Sequence, residues 1–430
     1  MVSSTTANAS ACAGFRSVNA VTAYKNAAGP SLTAILDAEL TGKPGAETQP
    51  AISNRVGLFA RNVKSSGHQI AVENRAGTKQ NAAGPQLVEF VSHEPITLFP
   101  GEKHSLNLPV KETPQIPWEA PDKWVSVKKF GPPKTIELIP QKGGPRRQVA
   151  DWSESLQRAI DSGATTTYFP NQQGSSNDKE ADKSSAYGFY RPVRLRGKVQ
   201  RIIGCEADFE KLVSNNEVNT DYQSELRPVF ILEAGDAPAV VVERFSSWFM
   251  PFRFEQRSKR SLVISSMSFY DLETQPGSGD VFLEDVRCKT LQVRGSKLWG
   301  RQVNIEGNTE PRLLCDGGDV WILGLKTEND ATVGLVKNQG RMEIVGGFNY
   351  GNKNQINPKT LFVNEGASLS LNTGGSVTKN GRPFDILVRE TRGCETRALT
   401  HKQAPSRGPS TMIPLYVGRD DSPTPGGRKE

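Results

Sequence analysis

The stretch DWSESLQRAIDSGATTTYFP (151–170), with VRLRGKVQRIIG (193–204) after it, decides the fold. Asp151 reads as a good N-cap, and Asp151 to Glu154 has the spacing of a capping box. Leu156, Ala159 and Ile160 then share one helical face, and Gly163 is the kind of residue on which helices end. The pattern predicts one short amphipathic helix. TTTYFP (165–170) reads as a strand stopped by proline, and 193–204 as two strands around a glycine turn.

Away from this stretch, helical periodicity is scarce. Short alternating or apolar runs recur about every ten residues, each closed by Gly, Asn or Asp. Examples are SLTAILDAEL (31–40), RVGLFARNV (55–63), AVVVERF (239–245), SLVISSMSFYDLE (261–273), DVWILGLKTE (319–328) and RMEIVGGFNYG (341–351). KNAAGPSLTAILDAEL (25–40) and LEAGDAPAVVVERF (232–245) share a Gly/Pro turn followed by an apolar strand ending in an acid, which reads as an internal repeat.

Composition narrows the classes. The 430 residues include 40 glycines and 28 prolines, only 36% are hydrophobic, and the mean hydropathy is −0.49. No apolar run approaches the roughly 20 residues of a membrane-spanning helix. Glycine has no strict collagen period, and so many helix breakers argue against a coiled coil. A net charge of +7 permits a polyanionic partner without demanding one, and no nucleic acid is expected. The basic runs Arg191–Arg201 and Arg253–Arg260 read as solubilising. Five widely spaced cysteines, no CxxC and four histidines leave no expected metal site, and the thiols are expected buried and unpaired. Phosphate loops and dinucleotide fingerprints are absent from the sequence, so no cofactor is expected.

WVSVKKFG (124–131), the 151–170 stretch and 193–204 together resemble the opening of the pectate-lyase-like right-handed parallel β-helix. Asp151, Leu156, Ala159, Ile160, Tyr168, Phe169, Pro170, Ile202, Ile203 and Gly204 carry the likeness. The resemblance implies an all-β solenoid with a short capping helix. It also implies a carbohydrate-active protein acting outside the cell or in the periplasm, although MVSSTTANASACAGFRSVNAV (1–21) lacks the features of a cleaved signal. The chain departs from the family where GPPKTIELIPQKGGPRRQVADWS (131–153) replaces an acidic loop. Elementary physics agrees with the solenoid. Coiled strands stack at about 4.8 Å, need turns in every rung and bury only part of each strand, which accounts for abundant Gly and low hydropathy. At roughly 20–25 residues per rung, 200–393 holds about eight rungs.

The expected organisation is then a flexible N-terminus (1–18), the last rungs of a first, incomplete β-helix (19–103), a Pro-rich linker (104–122), the main β-helix (123–393) and a flexible tail (394–430). The polar stretch 171–187 reads as an exposed loop.

Chemistry on such a fold must come from side chains on the outside of the rungs, where residues i and i+2 share a face. Glu306, Glu328, Asp271 and Glu310 are the candidate catalytic carboxylates, since glycoside hydrolysis needs two acids about 5–9.5 Å apart. A polyuronate lyase would instead need a base plus charge neutralisation, for which Arg301 and Lys326 qualify. Trp299 and Tyr350 are candidate sugar-stacking rings, and Trp321 reads as core. Paired exterior charges form salt-bridge ladders just as readily. Three readings stay open: a polysaccharide hydrolase, a polyuronate lyase, and a noncatalytic polysaccharide-binding or adhesion β-helix.

Overall fold

The computed structural model describes residues 11–13, 16–18, 21–23, 32–140, 146–171, 187–207, 209, 217–219, 229–245, 252–307, 309–329, 331–351, 360–377, 383–407 and 410–420. The predicted loop at 171–187 lies almost wholly outside them, as do the last ten residues. The chain is a parallel β-solenoid, and it divides into two compact units. One comprises residues 1–109 and 308–430, the other residues 110–307.

The predicted helix, Ser153–Asp161, lies in the second unit. Leu156, Ala159 and Ile160 are buried, pack against the strand Val193–Gly197, and form the apolar face read from the sequence. Gly163 closes the helix with φ +86°. The capping differs from the expectation. Trp152 holds the N-cap position, and Asp151 lies one residue earlier, at the end of the strand Arg147–Asp151. Its Oδ1 accepts the Ser153 amide at 3.0 Å, while Oδ2 pairs with Arg191 Nε at 3.0 Å in a fully buried position. Within residues 131–153, Lys134–Pro140 pairs antiparallel with Arg147–Asp151.

Two parallel sheets then run through this unit. One register column passes through Thr166, Arg201, Val241, Val263, Phe282 and Trp299, one residue per rung. Its later steps are 22, 19 and 17 residues long, so the rungs are less uniform than expected. The second sheet stacks Val193–Gly197, Val229–Gly235, Arg253–Gln256, Asp271–Thr274 and Thr290–Arg294. Between the sheets, buried Phe169, Phe189, Phe230, Phe252, Phe254 and Phe269 succeed one another with ring centroids 4.9–5.8 Å apart, mostly edge to face.

The long strands bend at a repeated corner. Ser266, Asp285 and Gln302 have φ of +49°, +51° and +56°, and pairing skips the corner, from Ser265–Glu284 to Met267–Val286. In the other unit the same place is taken by Gly324 and Gly346, with φ +81° and +71°. The left-handed conformation turns the chain without a loop, and it favours short polar residues or glycine.

In the first unit, Asp319–Glu328, Arg341–Gly351 and Ser368–Val377 stack in parallel, as do Leu313–Asp316, Gly334–Lys337, Thr360–Glu365 and Ile386–Arg392. The N-terminal residues form their own parallel coils, Leu32–Thr41 on Gly57–Ser66 and Pro50–Asn54 on Ile70–Asn74. Asn62 Nδ2 donates to Asp37 Oδ1 at 2.6 Å across one left-handed corner, with φ +52° and +50° at the two residues. The expected flexible tail needs correction. Glu395–Thr400 pairs back antiparallel on Ile386–Arg392, and Ser410–Gly418 is buried along its length, antiparallel to Ser368–Val377. STMIPLYVG (410–418) is apolar enough to close the sheet end, and the polar residues after 420 hid that signal.

One carboxylate ties this unit together. Glu343 points outward from its strand yet is 1% exposed. It accepts Arg61 Nη1 at 2.9 Å, Leu108 N at 3.0 Å, Ser370 Oγ at 3.1 Å and Asn107 N at 3.2 Å. Removing one partner of a buried pair leaves an uncompensated charge. Glu343→Ala is therefore expected to lower unfolding free energy by about 3–5 kcal/mol, measured by urea unfolding.

Cys288 and Cys315 are free and buried, as expected, whereas Cys394 is exposed. Burial pushes the Cys315 thiol up to about 12 and the Cys288 thiol higher still. In the native chain Cys394 should react quickly with a disulfide reagent. Cys288 and Cys315 should react only on unfolding, and Cys394→Ser should remove one fast thiol from the titration.

Candidate functional site

The candidate residues of the second unit sit on two surfaces. Trp299 and Arg301 share a face with Phe282 and Glu284 of the preceding rung, as strand alternation requires. That face is covered. Trp299 lies nearly parallel to Phe282 at 5.3 Å and is 7% exposed. Lys111 Nζ stands 5.7 Å from the Trp299 ring centroid. Arg301 Nη2 donates to the Lys111 carbonyl at 3.1 Å and pairs with Glu112 at 3.3 Å. Thr113 Oγ1 donates to Glu284. Trp299 is therefore a packing residue, not an open sugar platform.

The covering residues belong to the stretch read as a linker. Within the second unit, residues 111–119 lie along the outer column of the sheet. Besides the contacts of Lys111 and Thr113, the Ile116 carbonyl accepts Arg201 Nη2 at 2.6 Å. Glu119 accepts the Thr165 and Thr166 hydroxyls at 2.5 Å each. Arg201 is buried, pairs with Glu243, and carries Trp118 flat above its guanidinium at 3.8 Å. Outer-column residues Val241, Val263 and Phe282 are buried, each worth about 1.5–3 kcal/mol relative to exposure. In the first unit, residues 105–108 contribute the Leu106 amide to Ser370 Oγ and two amides to Glu343.

The hydroxyl bonds from Thr165 and then Thr166 hold the Glu119 carboxyl below its ordinary value. A lowered folded-state value contributes stability above the ordinary carboxylate range, and that contribution is lost as pH falls through the lowered value. Glu119→Gln should thus be less stable than the parent at pH 7, with the gap closing in acid; urea midpoints at pH 7 and pH 3 measure it.

Three of the four candidate acids are tied to cations. Asp271 pairs with Arg253 at 2.8 Å. Glu306 pairs with Arg287 at 2.8 Å and accepts Asn304 Nδ2 at 3.0 Å. Glu328 pairs with Lys326. Glu310 is exposed and precedes Pro311 across a cis peptide bond. Arg294–Glu273, Arg257–Glu255 and Arg194–Glu233 extend the pattern along the other outer face of the second unit. These are the ion-pair ladders of a solvated sheet face. A general acid needs surroundings that favour the protonated carboxyl, and a neighbouring cation does the opposite.

The candidates of the first unit form a different surface. Register places Lys326 beside Phe348 and Glu328 beside Tyr350, with Gly374 and Ser376 on the next rung. All six are partly exposed. The Phe348 and Tyr350 rings lie 6.4 Å apart at 27°, so two near-parallel aromatics stand beside a Lys–Glu pair. Gly374 and Ser376 add little bulk, and the rings stand above that side. Phe348 escaped the sequence reading because GGFNYG looked like a turn, whereas Arg341–Gly351 is one bent strand. Trp321 is core, as read, at 2% exposure.

Among the described residues no cluster of three or more His, Cys, Asp or Glu could hold a metal ion, and no helix is long and apolar enough to cross a membrane. The chain matches no family model and no curated protein sequence.

Proposed function

We propose that this solenoid is a polysaccharide-binding protein of pectate-lyase-like type, and that it binds rather than cleaves its glycan. The observation that carries the reading is the first-unit surface of Lys326, Glu328, Phe348 and Tyr350 on adjacent rungs. Sugar rings present an apolar C–H face and a rim of hydroxyls. Aromatic rings match the first, and a charged donor beside a charged acceptor matches the second. The regular rung spacing lets one surface follow a repeating chain. Such a role places the protein outside the cell or in the periplasm, where polysaccharide is met. Ion pairing of Asp271, Glu306 and Glu328 supports binding over hydrolysis.

Affinity electrophoresis through gels containing β-glucan, xylan, polygalacturonate or alginate tests the reading. At least one polysaccharide should retard the protein. Tyr350→Ala and Phe348→Ala should each weaken retention by about tenfold, the scale of losing one aromatic anchor. Release of reducing ends or of unsaturated uronates would overturn the noncatalytic assignment, and unretarded migration in all four gels would overturn the glycan assignment.

A further inference from the structure

Among the described residues Trp118 is the only exposed Trp, Tyr or Phe, at 53% exposure. It is nevertheless held in place from below and beside. Its chain is pinned before it by the Ile116 carbonyl on Arg201, and after it by Glu119 on Thr165 and Thr166. One ring face rests on the Arg201 guanidinium, which is buried and pairs with Glu243 beneath. Trp124 stands 5.7 Å away at 33°, fixed by its Nε1 donating to the Glu119 carbonyl at 3.1 Å. Tyr168 follows, edge-on to Trp124 at 6.1 Å.

This arrangement is costly as mere packing, since the outer half of a large ring stays in water. It suits binding, because a ring already fixed loses little entropy when a ligand covers it. The chemistry around the ring is polar. Glu119 has lone pairs beyond the two that accept the threonine hydroxyls. A flat apolar surface beside a hydrogen-bonding carboxylate fits a ring with one C–H face and equatorial hydroxyls. It does not fit a wholly apolar segment, which would leave Glu119 desolvated.

We infer that Trp118, backed by Trp124 and Tyr168 and edged by Glu119, is a second glycan-contact site that stacks one pyranose ring of an oligosaccharide. The inference rests on the glycan reading above but concerns a separate surface, in the other unit. Glu119 accepts a sugar hydroxyl at the rim, and the ring covers the outer face of Trp118.

Titration calorimetry of the full chain with laminarihexaose, cellohexaose and hexagalacturonate tests it, alongside intrinsic fluorescence. At least one hexasaccharide should bind and perturb tryptophan emission. Trp118→Ala should weaken that binding by about tenfold and remove the emission change, while Trp118→Phe, which keeps a ring, should stay within about threefold of the parent. Trp118→Phe also guards against a folding artefact, and thermal unfolding of both variants checks it. Loss in Trp118→Ala with Tyr350→Ala unaffected would sustain this site and sink the first-unit surface. Loss in Tyr350→Ala with Trp118→Ala unaffected would do the reverse. Overturning results also include no hexasaccharide binding to the parent, and a Trp118-dependent complex with a deca-proline peptide but with no sugar.

Discussion

The first sheet of the second unit is apolar on both faces over several rungs, so its outer column must be kept from water as well as its inner one. That constraint organises this protein. The inner faces meet each other across the solenoid core, as the run of phenylalanines from Phe169 to Phe269 shows. The outer column, through Val241, Val263, Phe282 and Trp299, needs cover of its own. Residues 111–119 supply it in the second unit, and residues 105–108 lie on the equivalent face in the first. Prolines serve a cover of this kind well. They stiffen an extended chain that borrows its hydrogen bonds from side chains below instead of from a ladder.

Cover determines which candidate residues can meet a ligand. Trp299 and Arg301 have the right chemistry, yet they lie beneath the covering segment. Lys326, Glu328, Phe348 and Tyr350 lie beyond the left-handed corner of their strands, marked by Gly324 and Gly346, and stay partly exposed. The corner thus separates a packed outer face from an open one within a single strand. Trp118 is a special case, being part of the cover itself.

Much of the fold was legible because it rests on local patterns. The helix face of Leu156, Ala159 and Ile160, the glycine stop at 163 and the alternation of the long strands are all short-range signals. What escaped depends on partners far away in sequence. Nothing in RMEIVGG marks Glu343 as buried, since only Arg61 and the amides of Asn107 and Leu108 make it so. HSLNLPVKETPQIPWEAPD has no period, so it read as a spacer, and Trp118 went unremarked inside it. Asp151 was legible as a helix-start acid, but it lies one residue before the N-cap, where its Arg191 partner, far away in sequence, could not be read. For the candidate site, strand alternation correctly grouped Lys326 with Glu328 and Trp299 with Arg301. It could not tell a covered face from an open one, because both alternate alike.

The Arg61–Glu343 pair joins residues 282 positions apart. During synthesis the N-terminal coils leave the ribosome first, but the carboxylate that anchors them is made much later. At about 5–20 residues per second, that interval is roughly a quarter of a minute to a full minute. The coils that carry Arg61 therefore wait for a partner made far later in the chain before this anchor can form.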